Sequence, residues 1–138
     1  MNAFFDSSAL VKRYIIEDGS ERVNAIFLEA KIIFVSLVCM PEIFSALNRL
    51  KREKKINQDH YRQIKLTVYE DFKLFNICAL GGRVLREAIE ILENYPSKTL
   101  DAIQLASALT VAADFFVCSD KPLLSIAQKI KINIIDVS

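Results

Sequence analysis

The chain of 138 residues carries only three glycines and three prolines. Linkers, low-complexity tracts and Gly/Pro-rich segments are therefore excluded, and no internal repeat is visible. It holds a single histidine, His60, which leaves a zinc site short of ligands. Its three cysteines, Cys39, Cys78 and Cys118, are an odd number placed far apart in apolar stretches. That usage fits buried, reduced thiols of a cytosolic protein better than disulfides. There is little excess of either charge, with 18 Lys and Arg against 17 Asp and Glu and a net charge of +1. A global basic field of the kind that marks nucleic-acid binders is absent, so any such contact must be local. Long apolar runs are lacking too: stretches such as Ile32 to Pro41 are about half the ~20 residues that a membrane-spanning helix needs. The opening MNAFFD has no basic segment followed by a long apolar one, so no secretory signal is expected and the chain is assigned to the cytoplasm.

What is present is apolar. Hydrophobic residues make up 52% of the chain and the mean hydropathy is +0.25, enough for one domain with a substantial core and for some surface covered by a partner. The elements alternate. Ala3 to Asp6 reads as a strand running into a helix from Ser7, and EDGS at Glu17 to Ser20 as a turn before a second helix. Ile32 to Ser36 is a strand, followed by a long helix from about Pro41 to Lys54. A more polar helix spans Asn57 to Asp71, and Leu74 to Ala79 is a short strand. Gly81 and Gly82 open an amphipathic helix with Leu85, Ala88, Ile89 and Leu92 on one face, ended by Tyr95-Pro96. Thr99 to Leu109 is an almost wholly apolar helix, Phe115 to Cys118 a strand, Pro122 to Lys129 a helix and Ile132 to Val137 a last strand. Short apolar strands separated by helices predict a parallel sheet covered on both faces, whose sites form beyond the carboxyl ends of the strands.

Four acids fall at those places. Asp6 ends the first strand, Asp120 follows the Phe115 to Cys118 strand, and Glu42 and Asp101 lie in the first turns of their helices. Each taken singly is explained as a helix cap or a partner of the helix dipole. Jointly they stand apart from Glu53, Glu70, Asp71, Glu87, Glu90 and Glu93, which lie in mixed polar stretches where water is expected to solvate them. Carboxylates converging among apolar residues repel one another, so the pocket either raises their pKa values or holds a cation. Oxygen ligands select hard ions, Mg²⁺ or Mn²⁺, which suit phosphoryl chemistry.

The segments DSSALVKRYIIEDGS at Asp6 to Ser20, PEIFSALNRL with Glu42, LDAIQLASAL with Asp101 and FFVCSDKPLL with Asp120 resemble, in order and spacing, the PIN-domain family and within it the VapC-type toxins of toxin–antitoxin pairs. The resemblance covers nearly the whole chain. It implies a three-layer α/β/α domain with a central, mainly parallel sheet, and a metal-dependent endoribonuclease that cuts tRNA or rRNA loops. It also implies a homodimer and a small antitoxin protein as partner. Carried over, Asp6, Glu42, Asp101 and Asp120 are the acidic quartet that holds Mg²⁺ or Mn²⁺, with Asp6 and Asp101 the principal ligands. Where the family often has a hydroxyl two residues before the last acid, this chain has Cys118. Ser119 beside it, and Ser8 two residues after Asp6, are the hydroxyls expected near the metal.

Lys12 and Arg13, one to two turns after Asp6, are the expected phosphate contacts; a solvated role explains them equally well. The run RLKREKK at Arg49 to Lys55 is suited to RNA phosphates or an acidic partner segment, but is more simply the solvated C-terminal end of a helix, where positive charge suits the dipole. Tyr14 and the phenylalanines are apt to stack on bases, but core packing is the commoner use. The helix Asn57 to Asp71 and its predecessor are the expected partner-binding surface, through exposed Tyr61 and Ile64. A non-catalytic PIN-like module that binds RNA or protein is the alternative. A phosphorelay receiver fits less well, because Asp6 stands alone after its strand and Ile32 to Ser36 ends without an acid. A dehalogenase-like phosphatase would need an acid where Ser8 stands.

Overall fold

A computed structural model describes Met1–Ser138. Five short strands, β1 (Asn2–Phe5), β2 (Ile32–Ser36), β3 (Asn76–Cys78), β4 (Phe115–Cys118) and β5 (Ile134–Asp136), form one sheet in the order β3-β2-β1-β4-β5. All four pairings are parallel, with Ala3 opposite Ile33 on one side and Phe115 on the other. Seven helices cover it: α1 (Ser7–Leu10), α2 (Ser20–Glu29), α3 (Cys39–Arg52), α4 (Gln58–Phe72), α5 (Gly82–Asn94), α6 (Thr99–Val111) and α7 (Lys121–Ile130).

Alternation along the strands divides the core in two. Ala3, Phe5, Val35 and Val117 pack with α1 to α4, whereas Phe4, Phe116 and Cys118 pack with α5 to α7. The result is a three-layer α/β/α domain. Crossover helices run back along the sheet, so their N-termini gather at the carboxyl edge of the strands. Because the chain builds outward from β1 to β3 and then returns to lay β4 on the other side of β1, the strand order reverses there and opens a crevice beside Asp6. No helix is long and apolar enough to cross a membrane.

Three local features differ from the expectation. The helix after Asp6 lasts one turn, to Leu10, and then tightens through Val11–Arg13. The turn that follows needs its glycine: Gly19 has φ +91°, and a Cβ there would lie 2.0 Å from the Val137 carbonyl oxygen. This early break redirects Lys12 and Arg13 away from the strand ends. Lys12 is buried, its ammonium donating to the Asp18 carbonyl and 3.6 Å from Glu17. Arg13 makes a two-pronged contact with Asp71, at 2.8 and 3.3 Å, and stacks over Phe27 at 3.7 Å. Both side chains are thus engaged within the chain, and neither lines the acid cleft. Asp71 is correspondingly buried rather than solvated, and it also accepts a 2.9 Å bond from the Tyr14 hydroxyl. Finally, Tyr61 and Ile64 are core residues, 9% and 6% exposed. The exposed apolar residues of α4 are Leu66 and Tyr69, one register off, because the helix turns Tyr61, Ile64 and Val68 toward α3.

Candidate active site

The crevice at the carboxyl edge is a cleft of about 320 Å³ lined by Asp6, Glu42, Asp101 and Asp120 together with Ser7 and Ser8. Four separate segments thus bring the four acids to one place. Val11, Ala46 and Arg49 complete its walls.

Asp6 is fixed where β1 turns into α1. Its backbone N–H continues the sheet by donating to Val117 at 3.0 Å, and its side chain caps α1, with Oδ2 accepting from the Ser8 N–H at 3.2 Å and from the Ser8 hydroxyl. The Cys118 thiol lies 3.5 Å from the same oxygen and donates to it. The carboxyl is 3% exposed. Burial raises its pKa to about 6, with Glu42 adding repulsion, against the bonds from Ser8 and Cys118 that favour the ionised form. All three donors converge on Oδ2, leaving the other oxygen for the cleft.

Glu42 stands in the first turn of α3. Its Oε1 accepts from the Ser7 hydroxyl at 2.9 Å and from the Gln104 amide at 2.7 Å, and that amide also donates to the Ser7 oxygen at 2.6 Å. One carboxylate oxygen is therefore committed and Oε2 is left free. Gln104 lies one turn after Asp101 on α6 and is fully buried, with its own Oε1 unpaired.

Asp101 has a raised pKa, caused first by burial and then by the charges of Asp120 and Glu42, with Lys98 opposing. Asp120 caps α7, accepting from the Leu123 N–H at 2.9 Å. None of the four acids is in an ion pair with a cation of the chain; the five that form engage other residues. A buried carboxylate without a cation is costly. That cost falls on Asp6, the one fully buried acid of the four; Glu42, Asp101 and Asp120 are half-buried and open to the cleft.

The donor set fits a hard divalent ion, being all oxygen. As they stand, no three of the acids form a closed ligand group. A hard ion held here would be reached by one or two carboxylates and would keep several waters.

Ser8 stands at the cleft as expected, bridging Asp6 and the Ser119 N–H, which donates to its hydroxyl at 3.0 Å. Ser119 contributes that backbone group rather than its hydroxyl. Cys118 takes the place of the hydroxyl that the resemblance leads one to expect: its thiol donates to Asp6 and receives the Asp120 N–H at 3.4 Å. Burial and the charge of Asp6 push its pKa up, so it stays a thiol. All three cysteines are free. Ser7 and Gln104 were not anticipated as parts of the site, and Arg49 was anticipated only as part of a basic run. For Gln104 the signal was present: a second polar residue on the apolar helix, one turn from Asp101.

A PIN-domain family model matches residues 3–129. No curated protein matches the chain significantly. Among solved structures, a toxin–antitoxin complex from Klebsiella pneumoniae is similar at 18% identity and a TM-score of 0.71, covering 99% of this chain and 98% of its own. VapBC2 from Rickettsia felis, bound to a DNA fragment from its promoter, aligns over the whole of both chains at 10% identity and a TM-score of 0.68. VapC20 from Mycobacterium tuberculosis, a toxin that cleaves the sarcin–ricin loop, aligns at 12% identity and a TM-score of 0.65 over 89% of this chain and 93% of its own. At these identities the structural likeness speaks for the fold, and the family model covers nearly all of the sequence. The chain belongs to the PIN-domain family.

Proposed function

We propose that this protein is a metal-dependent endoribonuclease, the toxin of a toxin–antitoxin pair, which hydrolyses a phosphodiester in a tRNA or rRNA loop. The observation that carries the reading is the convergence of four carboxylates from four segments on one cleft, none of them ion-paired with a cation of the chain. Family membership supports it, as do similar folds in a toxin–antitoxin complex and in a toxin that cleaves the sarcin–ricin loop.

Asp6 and Asp101 would be the principal ligands of Mg²⁺ or Mn²⁺, with Asp120 and Glu42 acting partly through water. Such an ion supplies a lowered pKa for water and stabilises negative charge growing on the phosphate. The side chains do the rest. Ser8 and Cys118 hold one oxygen of Asp6 and turn the other to the cleft, and Ser7 with Gln104 does the same for Glu42. Fixed acceptors orient an attacking water in line with the leaving 3′ oxygen, which departs with a proton and leaves a 5′-phosphate. A small antitoxin and a second copy of the chain are the proposed protein partners, and the cytoplasm the place of action.

The second reading, a PIN-like module that binds without cutting, draws on the lack of a preassembled ligand trio. The two are separated by incubating total tRNA and rRNA with purified, antitoxin-free protein in Mn²⁺, Mg²⁺ or EDTA. Discrete fragments that require metal and are lost in Asp101→Asn are expected. Intact RNA under all conditions, from protein shown to bind Mn²⁺, would support the binding module instead.

A further inference from the structure

We propose that a single RNA strand crosses the acids along a groove marked by two cations, Arg49 on one flank and Lys98 on the other. The inference rests on the ribonuclease reading above and specifies how its substrate is held. Three hollows adjoin. The acid cleft shares Glu42, Ala46 and Arg49 with a hollow of about 510 Å³ that extends along α3 to Val38 and Leu100. It shares Asp101 and Asp120 with another of about 430 Å³, which runs between Pro96–Lys98 and the start of α7. The acids thus lie midway along a continuous groove, with an exit at each end, as a chain molecule requires.

The charges in the groove are sparse and placed. Arg49 and Lys98 are the only cations lining the three hollows. Both are exposed, and neither is used in an ion pair. Of the other cations in the run that holds Arg49, Lys51 lies over the Tyr61 ring at 4.2 Å and Lys55 pairs with Glu53 at 3.4 Å, while Arg52 and Lys54 line none of the three hollows. Arg49 lies seven residues after Glu42, two turns along the same face of α3 and about 10 Å from it. Lys98 stands at the N-cap position of α6, at the end that carries Asp101, with no capping bond from its side chain. A phosphodiester brought to four carboxylates is repelled, and a chain of net charge +1 offers no general field to offset this. Beyond the ion at the acids themselves, compensation along the strand falls to cations on its own path. In the same hollow as Arg49, Leu100 is 45% exposed and gives an unstacked base an apolar surface.

The test is anisotropy of a labelled oligouridine strand with the full-length protein in EDTA, over a series of salt concentrations, for wild type, Arg49→Ala, Lys98→Ala and Lys129→Ala. Each groove variant should weaken binding roughly tenfold, as loss of a hydrogen bond to a charged group does. Each should also flatten the slope of log affinity against log salt by about 0.7, the value for one phosphate contact on a single strand. Lys129→Ala, on the far end of α7, should do neither. Unchanged affinity and slope in both groove variants, while wild type binds and cuts RNA, would overturn the groove and leave the ribonuclease reading standing. So would an equal loss in Lys129→Ala. If wild type neither binds the strand nor cuts any RNA, the ribonuclease reading itself fails and this inference with it.

Discussion

Replacing Asp6 with asparagine should stabilise the metal-free protein near neutral pH and leave it unchanged under acid. The carboxyl is almost wholly buried, and burial raises its pKa from 3.8 to about 6. That gap of roughly two units, at about 1.4 kcal/mol each, amounts to about 3 kcal/mol of destabilisation once the group is ionised in both the folded and unfolded chain. Below the unfolded pKa the carboxyl is protonated in both states and the penalty is absent. Between the two pKa values the folded state binds more protons than the unfolded, so stability falls as pH rises. Above about pH 6 the whole penalty is present. Asparagine preserves the shape, is as good a helix cap, and offers one carbonyl oxygen to the donors that now meet at Oδ2. About 2 to 3 kcal/mol should therefore be recovered, or roughly 6 to 10 °C in Tm for a chain of this length. Urea unfolding in EDTA at about pH 4 and about pH 7.5 measures it. A variant that is no more stable than wild type at the higher pH, or a difference that is the same at both, would refute the reasoning.

Other expectations concern separate contacts. Gln104→Leu removes the donor to Glu42 and the unpaired Oε1 together, so stability should change by no more than about 1 kcal/mol while cleavage of total RNA falls at least about tenfold. Equal activity would mean that Glu42 needs no such hold. Asp71→Ala leaves Tyr14 and Arg13 without their acceptor and should cost about 2 to 3 kcal/mol in urea unfolding, with Asp71→Asn recovering part of it; neither change should alter cleavage by the folded fraction. Cys118→Ser keeps a donor to Asp6 and should retain cleavage, whereas Cys118→Ala should lose part of it, measured as initial rates at saturating Mn²⁺.

The strands were readable to within two residues because each is a short apolar run bounded by polar or turn residues; Ile32–Ser36 and Phe115–Cys118 coincide with the observed β2 and β4. Strand β3 is shorter than its apolar pattern, since it lies at the sheet edge and Leu74 points to solvent. The four acids were visible because each follows a strand or opens a helix in apolar surroundings. The cations were not. Whether Lys12 and Arg13 face the cleft depends on how far a helix runs after Asp6, and its end at Leu10 is decided by packing against Asp71 and the Glu17–Ser20 turn, both remote in sequence or tertiary in origin. Likewise Tyr61 and Ile64 sit in a helix whose polar composition hides which face meets α3. Gln104 escaped notice because its partners, Ser7 and Glu42, are 97 and 62 positions away.

The central claim is that carboxylates from four segments form one cation site, and titration of Mn²⁺ followed by electron paramagnetic resonance tests it most directly. Wild type should show one saturable population of bound Mn²⁺, displaced by Mg²⁺. Asp6→Asn and Asp101→Asn should each weaken it at least about tenfold, the loss of a charge-bearing ligand, while Asp114→Asn, outside the cleft, should not. No saturable binding by wild type, or equal binding by all three variants, would contradict the claim.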